Sequence, residues 1–415
     1  MSTENMIIEN LAKPHELERM FREEPEVFKS AFNSAYEQNR ESQVLSVWFE
    51  RLYFKEDELV AKNKMPQSDF MVMGALAVFA GISSRIIMYF AELDKISPIN
   101  VLFGVIPFIC AYFLYRSKPE KKILYSIISL IAISIIYMNL LPKENTDSIM
   151  LSYMHLPVFL WVLMGFSFTG NEFGSVKARL SFLKFNGEFL IIYATMAISG
   201  MMLTGLTLQL FSVAGFDISE FYFENIVLFG AAALSVVASY LVTTNMKLAK
   251  SIAPYIAKIF SPLILITLVT YLIVVAASRK NPFLDRNFLL VFNGILISIL
   301  AISIFSITES TKDAKKSISD YVNFILIAVA LVMNAIALSA IVFRLASYGI
   351  TPNRIAVVGL NILIFGNLIW IISSYAGFIR NEKGSSAIQN AVTKYLPAYG
   401  IWAAFVTFAF PIIFS

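Results

Sequence analysis

The chain has 415 residues, 57% of them hydrophobic and 15% charged, with a formal net charge of +4. Soluble domains average ~45–50% apolar and ~25% charged, so an ordinary globular chain is excluded. The charge is also unevenly placed: residues 1–69 hold 9 Lys/Arg and 14 Asp/Glu, a net of −5, while residues 70–415 hold 24 and 15, a net of +9. Cys110 is the single cysteine, which excludes an intramolecular disulfide framework. His15 and His155 stand far apart without cysteine partners, so no zinc-ligand spacing exists. Neither common phosphate-cradling glycine loop occurs. No cofactor or metal is expected, and the acidic N-terminal segment does not suit nucleic acid.

In chain order, Lys13 to Phe54 reads as short amphipathic helices punctuated at Pro25, since proline is tolerated at a helix start but not inside. Val27/Phe28, Ala31/Phe32 and Ala35/Tyr36 recur every four residues, and Val44/Leu45, Trp48 and Leu52 continue the helical spacing. About 50 residues of this kind cannot build a large core. The segment 1–69 is therefore read as an acidic cytoplasmic cap on a membrane domain. The alternative is a docking surface for a soluble cytoplasmic partner over residues 17–52, with Trp48 as its anchor.

From Phe70 onward, runs approach the ~20 apolar residues needed to cross a ~30 Å hydrocarbon core. They lie at 70–91, 99–115, 123–141, 148–168, 188–212, 223–243, 256–277, 288–307, 319–342, 355–376 and 396–414. The first begins too far into the chain for a cleaved signal peptide. The second is short, and tilting, pairing with its neighbour and re-entry all stay open. The expected fold is all-α: a polytopic transmembrane bundle of about eleven spans over 70–415, with the lipid bilayer as its surround. With the N-terminus inside, inner loops hold 16 Lys/Arg and outer loops 7, which predicts N-in, C-out. Between Glu172 and Gly187, Phe173, Val176, Leu180 and Leu183 share one face while Lys177, Arg179 and Lys184 lie elsewhere. This predicts a helix in the inner interface, or else a cap on the bundle. Ile388, Val392 and Tyr395 suggest a similar piece.

Ionisable groups within spans are functional candidates because hydrocarbon penalises each by at least a few kcal/mol. Arg85, His155, Asn293, Arg344 and Arg354 fall at one outer depth, with Arg279, Lys280 and Arg286 just beyond. With Tyr348, they form the candidate binding set for a small anionic or lipid-like ligand, arginine offering a bidentate fork. The competing reading has each arginine snorkelling to the interface or pairing with Glu92, Glu144 or Glu224; for His155 it is a helix–helix hydrogen bond. Asn323, Asn334, Asn361 and Asn367 read as bundle glue, with pathway lining as the alternative. Ala197, Gly200, Thr204 and Thr207 form a stripe for close packing, and Pro107, Pro157 and Pro262 are candidate kinks. No Asp or Glu is expected in the middle of a span, Glu188 and Glu224 being placed at helix starts. No catalytic constellation can be assembled.

Four stretches carry a resemblance: Leu17 to Leu52, Ile252 to Leu272 with its Ile-Phe-Ser-Pro-Leu core, Phe343 to Arg354, and Tyr395 to Phe414. Together they resemble a bacterial family of multipass membrane proteins known as domain of unknown function four-one-five-three. The sharpest element is Arg344, Tyr348, Gly349, Thr351 and Arg354, where Gly349 permits a tight turn and Thr351-Pro352 can start a helix. The resemblance implies a bacterial inner-membrane location and no specific activity. Two functions are expected: a permease for a small anionic or lipid-like solute that does not use ATP, or a membrane sensor or scaffold docking a partner through residues 17–52.

Overall fold

The computed structural model describes residues 3–39, 41–53, 67–142, 146–213, 217–244, 286–309 and 318–414, with isolated positions between 261 and 273. The chain divides into two compact units, Met1–Gln67 and Ser68–Ser415. Among the described residues every regular element is helical.

The first unit holds α1 (Thr3–Glu9), α2 (Pro14–Glu23), α3 (Pro25–Gln38) and α4 (Gln43–Tyr53). Pro14 and Pro25 occupy first-turn positions, where a missing N–H costs nothing. The four-residue recurrence of apolar side chains closes into a core of Ile7, Leu17, Phe28, Phe32, Ala35, Leu45 and Trp48. Phe21 and Phe28 meet the Trp48 ring at 5.6 and 5.1 Å, within the range where aromatic pairs add stabilisation beyond burial. Trp48 is 7% exposed. It fills this unit's own core, so its ring is not the free anchor that a docking surface would need. Outside the core, Glu18 accepts from Arg22 and Arg51, both at 2.8 Å, and these guanidinium groups hold its carboxyl below the usual range.

The second unit contains α5 (Gln67–Glu92), α6 (Val101–Ser117), α7 (Lys121–Leu140), α8 (Asp147–Thr169), α9 (Val176–Val213), α10 (Ser219–Thr244), α11 (Arg286–Glu309), α12 (Ile318–Tyr348), α13 (Pro352–Ile379), α14 (Ser385–Thr393) and α15 (Leu396–Ile413). Nine helices among the described residues are long and apolar enough to cross a membrane. They fall on nine of the eleven expected spans. The expected span 288–307 lies in α11, and 256–277, with the kink expected at Pro262, falls largely outside the described residues. The short second span, with its 3₁₀ turn at Pro98–Asn100, is among the nine. The protein is a multi-pass membrane protein built as an all-α bundle.

Two features depart from the sequence expectation. The amphipathic piece after Glu172 does not form a separate interfacial helix: it is the start of α9, 38 continuous residues, about 57 Å at ~1.5 Å per residue. Its buried face also differs. Arg179, Phe182, Phe185 and Glu188, each three residues from the last, are all buried, a ridge packed into the bundle. Arg179 does not reach out to head groups. It donates to Thr393 O at 3.1 Å and Gly174 O at 2.9 Å, capping the C-terminal carbonyls of α14. Pro107 and Pro157 lie inside helices that stay continuous around them.

Lipid supplies no hydrophobic force between helices, so close packing and hydrogen bonds hold them together. The main core joins α11, α12, α13 and α14 through Leu296, Ile299, Leu326, Met333, Leu368 and Ile388. Ser152 donates to Thr407 O at 2.6 Å and Tyr137 to Phe408 O at 2.7 Å, tying α8 and α7 to α15. Gly104 brings the α6 backbone against α5: a Cβ there would stand 2.8 Å from Ser84 Cα.

Candidate functional site

The six candidate residues are not gathered in one place: five enter separate hydrogen-bonded arrangements and Arg344 enters none among the described residues. Arg85, in the last third of α5, donates through Nε to Asn225 Oδ1 at 2.8 Å and pairs with Glu92 at 3.0 Å and Glu224 at 3.3 Å. Glu224 and Asn225 sit on a π-helical turn, Tyr222–Val227, within α10; such turns commonly redirect side chains at specialised positions. This is the pairing alternative for Arg85, with two of the carboxylates named for it. His155 Nδ1 meets Leu151 O of its own helix at 2.9 Å, rather than a neighbouring helix.

Arg354 Nη1 donates to both Tyr348 O and Gly349 O at 2.7 Å, and its guanidinium lies 5.6 Å from the Tyr348 ring. It therefore caps the C-terminal end of α12, a favourable place for a cation. Gly349 adopts φ +78°, which a side chain would resist. Thr351 Oγ1 accepts from Arg354 N at 3.3 Å as the N-cap of α13. Tyr348 is 58% exposed. Arg344, on α12, is half-buried, and among the described residues it has neither a hydrogen bond nor an ion pair.

Asn293 belongs to a different set. Asn361 Nδ2 donates to Asn293 Oδ1 at 2.8 Å, and Asn334 Nδ2 to Asn361 Oδ1 at 3.3 Å. This chain of amides crosses from α11 through α13 to α12. Asn323 donates to Ser306 at 2.8 Å, and Asn367 to Ala391 O at 3.1 Å while accepting from Tyr399. All four expected asparagines thus join helices, which is the geometry of bundle glue.

A cleft of about 400 Å³ lies elsewhere, lined by Arg116, Ser117, Lys184, Glu188 and Thr243 together with Phe113, Phe168 and Phe185. It is built where the end of α6, the end of α8, the first part of α9 and the end of α10 meet. Ser117 donates to Ser167 O at 2.9 Å, and Tyr112 shares a 2.8 Å hydrogen bond with Thr243. Arg116 donates to the Tyr112 hydroxyl at 3.2 Å. Phe113, Phe168 and Phe185 meet edge to face or tilted at 5.1–5.3 Å, giving the cleft rigid walls. None of the six candidates lines it.

Glu188 is the residue that sequence reasoning misplaced. It is not at a helix start but the thirteenth residue of α9, and 1% exposed. The available signal was the row of threes: a carboxylate and an arginine bracketing Phe182 and Phe185 belong to one ridge, which a break assigned at Gly187 conceals. Glu188, Lys184 and Arg116 thus place one anionic and two cationic side chains in the lining of a single cleft that also has aromatic walls. Among the described residues no group of three or more His, Cys, Asp or Glu could hold a metal ion. No family model matches the chain, no curated protein matches it, and no solved structure matches it.

Proposed function

We propose that this protein is a permease of a bacterial inner membrane, N-terminus inside, that handles a small solute carrying a carboxylate or phosphate group. The observation that carries this reading is the cleft where Glu188, buried in a long helix, lies with Lys184 and Arg116. Charged groups inside a membrane bundle are costly and mark solute or proton pathways by default. Two cations can meet the solute's anionic group, and a carboxylate at the same cleft couples protonation to its occupancy. The outer set is the weaker location, because Arg85, Arg354 and Asn293 belong to separate arrangements and do not line one cleft. A sensor or scaffold docking through residues 17–52 ranks second, since Trp48 is buried at home.

The test is a thermal-unfolding screen of the purified protein against small carboxylates and phosphates, followed by uptake of each stabilising compound into proteoliposomes. The proposal expects a compound that stabilises and is taken up, with both effects lost in Lys184→Ala and altered in pH dependence by Glu188→Gln. Uptake unchanged in both variants would overturn the assignment of the cleft. Stabilisation without uptake would favour a sensor.

A further inference from the structure

α6 and α7 are joined by a tight turn, yet they part along their length. Lys118 takes a left-handed conformation, φ +44°, to reverse the chain, and Glu120 N–H is held by Asn171 Oδ1 at 2.9 Å. Between the two helices runs an open groove of about 510 Å³, walled by Ala111 and Leu114 on one side and Leu124, Ile128 and Ile131 on the other. α7 lies at the edge of the bundle: Tyr125 is 61%, Ile133 56% and Ile136 60% exposed. On that wall Ile128 is 50% exposed, while Ile131 at the deep end packs against the Phe103 and Leu156 cluster.

The groove has the proportions of one lipid leaflet. From Lys121 to Ile131 a helix rises about 15 Å at ~1.5 Å per residue, about half of a ~30 Å hydrocarbon core. Its mouth has one sign. Lys118 lines it directly, and Lys121 lies on the same face of α7 as Leu124, Ile128 and Ile131, because residues three, seven and ten apart fall close together around a helix. Lys122 adjoins them, and Glu120 is the one acid in the turn from Arg116 to Lys122. Lys118, Lys121 and Lys122 are exposed and form no ion pair among the described residues. An apolar slot of leaflet depth with unneutralised cations at its mouth matches one molecule: a phospholipid with an anionic head.

We propose that the α6–α7 groove holds one acyl chain of an anionic phospholipid, with the head-group phosphate at Lys118, Lys121 and Lys122. A zwitterionic lipid of equal chain length would gain the groove but little from the lysines. Free phosphate would gain the lysines alone.

The proposal is tested by native mass spectrometry of the full-length protein, after exposure to equal amounts of phosphatidylglycerol and phosphatidylcholine with matched chains. Wild type is expected to retain phosphatidylglycerol preferentially by about five-fold or more, the scale of a single lysine's attraction to an anionic surface. The K118Q/K121Q/K122Q variant, with its helical content checked by circular dichroism, is expected to lose that preference. Ala111→Trp, which fills the slot, is expected to release the bound lipid while leaving the lysines in place. Equal retention of the two lipids by wild type, or an unchanged preference in the triple variant, would overturn the proposal. Displacement of the retained lipid by millimolar inorganic phosphate would overturn it in favour of a free-anion site.

Discussion

At one end of the bundle Arg85 is gripped by Glu92, Glu224 and Asn225, and Arg354 by two backbone carbonyls. At the other, Lys118, Lys121 and Lys122 stand exposed at a groove mouth and form no ion pair among the described residues. Both ends are rich in cations, so composition does not separate them. What separates them is the local supply of acceptors. The π-helical turn of α10 delivers a carboxylate and an amide to Arg85, and the open end of α12 delivers carbonyls to Arg354. In the α6–α7 turn, the one acid sits among three lysines. A cation whose acceptors come from its own fold holds helices together; a cation without them is available to lipid.

The comparison can be broken from the structural side first. Gly104→Ala places a methyl against the Ser84 backbone, which cannot yield as a flexible side chain would. The expected cost is about 1–3 kcal/mol, read as a lowered unfolding temperature in detergent, and an unchanged midpoint would show that α5 and α6 do not approach so closely. Asn361→Ala removes the hydrogen bonds linking α13 to Asn293 and Asn334. A loss of about 1–2 kcal/mol is expected, and no loss would reopen the pathway-lining reading of these amides.

Arg85→Ala should cost below about 1 kcal/mol, because its carboxylate partners are partly solvated at the rim. The same measurement on K118Q/K121Q/K122Q in lipid-free detergent should show no change beyond ~0.5 kcal/mol. If the lysine variant lost more than the Arg85 variant, the distinction between the two ends would fail.

The smallest effect concerns the first unit. Glu18 has its carboxyl lowered by Arg22 and Arg51, so it favours folding above the ordinary carboxylate range, and that contribution is lost as pH falls through its depressed value. Amide hydrogen exchange over residues 14–53 of the whole protein should quicken on acidification. In Arg51→Ala, exchange should start faster at neutral pH and change less on acidification. An identical pH response in wild type and variant would remove Glu18 from the account.

Much of this molecule could be read before any coordinates. Length and hydropathy are properties of a helix taken alone, so nine of the expected spans and the Gly349-Thr351-Pro352 turn were legible in the chain. The asparagines were legible as helix-joining residues because hydrocarbon leaves an amide few other partners. What only the tertiary structure decided was pairing. Arg85 and Arg354 looked alike as outer arginines, and the π-helical turn and the end of α12 gave each its own acceptors. Glu188 looked like a helix start until α9 proved continuous through Gly187. Trp48 was open to being core or anchor until Phe21 and Phe28 closed around it. The reason is physical: apolar periodicity is written along one helix, whereas a polar group's role depends on acceptors brought in by other helices.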